Sequence, residues 1–288
     1  MGVRLYPLLI VAVAAMAGCT PAPNPEDGSD NAANAAVGSD NIWWGGDLYV
    51  VDVDLDQQSR YTLDSVIVAL SANTPIRVHL VENDTYAPEG KVVWVSQNRT
   101  STNGLSEALG TATGWVVSTF ASLGHEFGHV LGLAHTQQRI DRDEYVVIHD
   151  RYISEEMAPW FQKNTGWPHI GPYDLDSVMH YCTFTIGDSP CSAMTRLTET
   201  SSSPDECIEF NDLAVDDPRY LPFRSAYSPL DYAVLSALYC DPRYCGDRCA
   251  DADRCGAPAV QDNLATIAQW EYSEEGQAWR AAHPDESR

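Results

Sequence analysis

Lysine is nearly absent: of 17 basic residues only Lys91 and Lys163 are lysines, set against 41 acidic residues and a net charge of −24. So acidic a surface repels a polyanion and argues against nucleic acid as a partner. No internal repeat and no C-x-x-C pair occurs, and no loop has the ligand spacing of a calcium site. Long apolar runs are missing as well. The one candidate, Leu5 to Gly18 behind Arg4, is too short to span a bilayer and reads as the h-region of an export signal. What remains is 288 residues with 44% hydrophobic content, enough for one large domain or two subdomains around a real core.

The N-terminal stretch admits two cleavage readings. Ala15-Met16-Ala17 suits an ordinary A-x-A cut, whereas Met16-Ala17-Gly18-Cys19 resembles a bacterial lipobox that would make Cys19 the lipidated first residue. Thr20 to Asn41 is small, polar, proline-containing and aperiodic, which suits a tether. The expectation is a signal peptide at 1–18 and a lipid-anchored flexible linker at 19–41. The protein would be exported and held on the bacterial cell envelope or surface, touching membrane only through that anchor, with secretion as the alternative. Export favours disulfides. Seven cysteines remain besides Cys19, an odd number, so either one stays free or Cys19 is not lipidated and all eight pair. Cys240, Cys245, Cys249 and Cys255 are spaced as a stapled knot rather than a second metal site.

The chemistry sits in LGHEFGHVLGLAH, Leu123 to His135. His125 and His129, four apart, project from one face of a helix and can grip one metal ion. Glu126 sits beside that ion without ligating it. A third ligand at His135 requires the chain to turn, and Gly132 permits positive φ there. Three neutral imidazoles leave a position open for water on a Zn²⁺ ion, whose pKa falls toward about 7. Glu126 then serves as general base. A closed structural zinc site would want a fourth protein ligand and would have no use for the glutamate.

Elsewhere the patterns predict a half-buried strand from Asp47, with Tyr49, Val51, Val53 and Leu55 on one face. A helix follows through Leu63, Val66, Ile67 and Leu70, capped by Thr62. Strands are expected at 76–82 and 91–97, with an irregular edge strand between Gly104 and Gly114. The zinc helix is expected from near Val116 to Gly132. A long polar, irregular stretch follows His135, and a last helix runs from Pro229 to Cys240. The tail around Leu264, Ile267, Trp270 and Trp279 reads as a short amphipathic helix or a loosely ordered segment.

H-E-x-x-H-x-x-G-x-x-H, the SVMHY stretch at Ser177 to Tyr181, and RIDRDEYVVI at Arg139 to Ile148 together resemble the astacin family of metzincin metallopeptidases. IWWGG at Ile42 and SPLDYAVLSALYC ending at Cys240 are similar to the family's mature start and closing helix. The resemblance covers about residues 42–240. It implies an α+β, two-subdomain metzincin-like fold: a twisted mixed sheet with backing and active-site helices above a zinc cleft, then an irregular C-terminal subdomain. Residues 241–288 form a Cys-rich segment and tail outside it. The implied activity is zinc-dependent endopeptidase hydrolysis of proteins or peptides. His125, His129 and His135 would bind one catalytic Zn²⁺, with Glu126 as base, Met179 as hydrophobic floor, and Tyr181 as a switch tyrosine that stabilises the tetrahedral intermediate.

The sequence departs from the family at two places. Thr136 stands where astacins carry a glutamate, which is more like matrixins. The early cysteine partner of Cys240 is missing at Thr74-Pro75, so disulfide pairing does not transfer. Trp44-Gly45-Gly46-Asp47 has the outline of the family's aspartate latch, yet Asp47 is expected to be the first residue of a strand. The alternatives are a matrixin-like peptidase and a surface binding module with an inactive zinc site.

Overall fold

The computed structural model describes residues 42–82, 84, 92–97, 105–106, 114–117, 121–165, 168–186, 189–199 and 203–284. The export signal, Cys19 and the linker lie outside the described residues. So does most of the Gly104 to Gly114 stretch.

Strand β1 (Asp47–Asp52) leads through helix α1 (Gln57–Asn73) to β2 (Arg77–Val81), which pairs parallel to β1. Parallel neighbours need such a crossover, and the helix supplies it. On the other side β1 pairs with β3 (Val92–Ser96), which in turn pairs with β5 (Gly114–Val117). All of these strands are parallel. The two-residue β4 (Leu105–Ser106) closes the edge antiparallel to β5, giving the order β2-β1-β3-β5-β4. This is the expected mixed sheet.

Three sequence expectations are corrected. The simple alternation along β1 does not hold: Leu48 and Val50 are fully buried, Val51 nearly so, and Val53 lies past the strand and exposed. The strand is half-buried as expected, but its buried face is the one that carries Leu48 and Val50, while Asp47, Tyr49 and Asp52 stay partly exposed. Helix α1 starts at Gln57, not after Thr62, because the Asp56 carboxylate accepts from Ser59 N at 2.8 Å. Its first turn is polar and leaves no periodic signal. Val116 belongs to β5 and not to the zinc helix, which is the short α2 (Leu123–Val130). A β-branched pair at Val116-Val117 favours the sheet.

After α2 the chain runs through short 3-10 turns and a separate two-stranded ribbon, β6 (Val146–Ile148) with β7 (Met194–Arg196). Helix α3 (Pro229–Cys240) starts at the expected place with a reciprocal cap, Ser228 Oγ taking Asp231 N and the Asp231 carboxylate taking Ser228 N, both at 2.9 Å. Short helices α4 (Pro242–Cys245) and α5 (Ala252–Cys255) carry the cysteine knot, bridged Cys240–Cys255 and Cys245–Cys249. Cys191 pairs with Cys207, and Cys182 is disulfide-bonded as well. The tail is ordered as two helices, α6 (Pro258–Tyr272) against α3, and α7 (Glu274–Ala282). Val260, Ile267 and Trp279 are buried, which settles its open reading in favour of helix.

Candidate metal centre and active site

Helix α2 ends where the chemistry needs it to end. Gly132 has φ 94°, Leu133 N donates to Gly128 O and Gly132 N to His129 O, each at 2.9 Å. These are the two bonds of a Schellman cap, and they turn the chain back toward the helix face. Two more orphan carbonyls of the last turn are taken by distant side chains. Trp43 Nε1 donates to Val130 O at 2.6 Å, and the Tyr239 hydroxyl to Leu131 O at 3.1 Å. Neither residue was singled out from the sequence, since nothing local marks a tryptophan or tyrosine as a remote helix cap.

The turn delivers His135 to the other two histidines. His135 Nε2 lies 3.1 Å from His125 Nε2 and 3.1 Å from His129 Nε2. Each opposite ring nitrogen faces an acceptor: His125 Nδ1 meets Val178 O at 2.8 Å, His129 Nδ1 meets Leu133 O at 2.9 Å, and His135 Nδ1 meets Gln138 Oε1 at 3.3 Å. A carbonyl oxygen cannot donate, so the protons sit on Nδ1 and three Nε2 lone pairs converge. Lone pairs so arranged repel one another unless a cation sits among them. A tetrahedral zinc ion with bonds of about 2.0–2.1 Å would hold ligand nitrogens about 3.3 Å apart, so the residues fit the ion. Burial also keeps the rings neutral. It lowers His129 to about 3, with His125 adding to the effect, and lowers His125 and His135 too. These three form the metal-capable cluster among the described residues.

Glu126 is buried beside them, and that burial raises its carboxyl to about 8. The SVMHY segment lies beneath. Met179 is fully buried and its sulfur packs so tightly on Gly128 that a Cβ there would collide with it. Thr136 N donates to Met179 O at 3.2 Å, so the turn also supports the chain just past His135. Its own position is fixed by α3: the Asp231 carboxylate takes the Ser177 hydroxyl at 2.6 Å and Val178 N at 2.9 Å. Asp231 was missed as a site residue, although the S-P-L-D cap marks it. Tyr181 places its ring 4.5 Å from that of His135 and 6.1 Å from that of His125, and burial raises its phenol. All six sequence candidates of the cleft are thus gathered in one place, and Cys19 is outside the described residues.

The R-x-D-R-D-x-Y run buttresses this site. Arg139 forks onto Asp141 and caps Gly171 O and Pro172 O at 3.2 Å each. Arg142 donates to the carbonyls of Gln137 and Phe161. Tyr145 stacks on Tyr173 at 4.3 Å. From the tail, Trp279 Nε1 donates to Asp141 at 2.9 Å.

The Astacin family (Peptidase family M12A) matches residues 39–209. The chain therefore belongs to the astacin family, and the matrixin alternative raised by Thr136 falls away. It is 28% identical over 174 residues to Protein SpAN of Strongylocentrotus purpuratus, covering 58% of this chain and 24% of that protein. It is 34% identical over 89 residues to Astacin-like metalloprotease toxin 5 of Loxosceles gaucho, covering 30% of this chain and 48% of the toxin. The chain thus spans less than half the length of these relatives. Among solved structures, High choriolytic enzyme 1, a hatching enzyme zinc-protease from Oryzias latipes, shares its fold with a TM-score of 0.50 and 21% identity, over 70% of this chain and 95% of that one.

Proposed function

We propose that this chain is a zinc-dependent endopeptidase acting on proteins or peptides, with residues 42–240 as catalytic domain and 241–288 as a stapled segment and tail. The observation that carries it is the convergence of three Nε2 atoms, each Nδ1 hydrogen-bonded outward, beside the buried Glu126 carboxylate. A bound zinc ion supplies an acidified water and a polarised substrate carbonyl. His125, His129 and His135 hold it as neutral imidazoles. Glu126 would take the proton of the nucleophile and return it to the leaving amine. Tyr181, kept protonated by burial, donates to the oxygen that gains charge. Met179 floors the site. An extended substrate lies along the antiparallel β4 edge as an added strand.

The test is hydrolysis of denatured casein with and without a chelator, and by Glu126→Ala. Both should cost about 10²–10⁴ in rate. Wild-type activity in the variant would overturn the role of Glu126, and absence of hydrolysis by the zinc-loaded wild type would leave a binding module with an idle metal site.

Asp47 opens β1, and its carboxylate bonds His79 at 3.0 Å and Arg254 at 3.1 Å. That engagement supports an enzyme active without proteolytic activation. The disulfides support export, and the N-terminal pattern supports a lipid on Cys19 after removal of 1–18, with 19–41 as tether. Secretion after an A-x-A cut is the alternative. Cys19→Ser should release a lipoprotein from the membrane fraction. A wild type already soluble, with no free thiol under denaturing conditions, would establish secretion.

A further inference from the structure

The backbone of Tyr181 is tied on both sides to side chains that take no part in the chemistry above. Its N–H donates to Gln137 Oε1 at 3.1 Å. Its carbonyl faces His180 Nδ1 at 2.6 Å. A carbonyl only accepts, so His180 carries its proton on Nδ1, and its Nε2 accepts the Tyr173 hydroxyl at 2.9 Å. Tyr173 is held in turn by the face of Tyr145 and by the Arg139 guanidinium 5.7 Å above its ring. Gln137 is completely buried in the turn that follows His135. Its backbone carbonyl is gripped by Arg142, yet among the described residues its Nε2 has no hydrogen-bond partner. A buried amide left half satisfied is costly, and a hydrocarbon side chain would avoid the cost. Its oxygen is the part in use.

We propose that Gln137, with His180 opposite, is a positioning residue that fixes the main chain of Tyr181, so that the phenol swings about its side-chain torsions alone and returns to one place against the developing oxyanion. This rests on the reading of Tyr181 as an oxyanion donor. The chain thereby couples the turn after the third histidine to the tyrosine that serves the same substrate atom.

The experiment is a mutant cycle with kcat and KM measured per bound zinc. Tyr181→Phe should lower kcat roughly 100-fold. Gln137→Met deletes the acceptor at similar volume, and Gln137→Asn keeps an amide but withdraws its oxygen by one methylene. Either should lower kcat roughly tenfold, with KM and zinc content unchanged. In the Tyr181→Phe background the same substitutions should have no further effect on kcat, because Gln137 acts through the phenol. A loss that persists in that background would make Gln137 an ordinary structural residue and overturn the proposal. Should Gln137→Met fail to fold, Gln137→Asn decides: full kcat in it beside an impaired Tyr181→Phe sinks the clamp alone. An unchanged Tyr181→Phe enzyme sinks the role of Tyr181 and the clamp with it.

Discussion

Before Gly132 the chain is arranged as parallel strands and two helices around Leu48, Val50, Leu63, Leu70, Val93 and Phe127, all fully buried. After Gly132, as far as α3, regular structure thins to a three-residue ribbon and 3-10 turns, and the interior fills with polar groups: Gln137, Asp141, Arg142, His149, Thr183 and Ser192 among others. The three described disulfides all fall in this second part. The first part is held by apolar burial and ladder hydrogen bonds, the second by specific side-chain bonds and covalent staples. Chain without ladders must still satisfy its buried backbone, and here side chains such as Arg139 and Arg142 do it. The site spans both kinds. His125, Glu126 and His129 ride on the sheet-backed helix, while His135, Met179 and Tyr181 ride on the polar scaffold.

Reduction should separate the two parts most sharply. Cys191–Cys207 and Cys240–Cys255 close loops with sequence separations of 16 and 15, worth about 3 kcal/mol each. In reductant, hydrogen exchange should accelerate across β6, β7 and α3 while β1 and β3 stay protected. Uniform loss of protection would mean that the two parts unfold as one unit.

A smaller effect is expected from Trp279→Phe, which removes the donor to Asp141 at about 1.5–3 kcal/mol for a hydrogen bond to a charged group. Burial pushes the Asp141 carboxyl up, but the Arg139 fork, then His169 and Trp279, outweigh it and hold it below the usual 3.8. A depressed folded pKa means that this stabilisation is complete above the unfolded value and is lost as pH falls through the folded one. Acid unfolding of the wild type should therefore draw on Asp141 below about pH 4, and Trp279→Phe should move the acid midpoint upward. An unmoved midpoint would detach the tail from the second part.

The smallest effect belongs to Asp47→Ala. Its ion pairs with His79 and Arg254 are partly exposed, so thermal stability should drop by no more than about 1 kcal/mol. Peptidase activity should not rise. A rise would restore Asp47 as a latch on the active site.

From the sequence alone, the three converging histidines, the glutamate among them and the helix-to-turn switch at Gly132 were legible, because metal chemistry constrains residue type and spacing within a dozen positions. So were β2, β3 and α3, whose periodicity or cap is local. The tertiary structure alone decided that Trp43 and Tyr239 cap α2, that Asp231 carries the Met179 turn, and that Trp279 reaches Asp141. Those partners are 54 to 138 residues apart in the chain. A carbonyl or carboxylate accepts from any donor that folding brings within reach, and no pattern along the chain records which one arrives. Burial set the rest, since the neutral histidines and the raised Glu126 carboxyl owe their state to exclusion of water, a property of the packed molecule and not of any one segment.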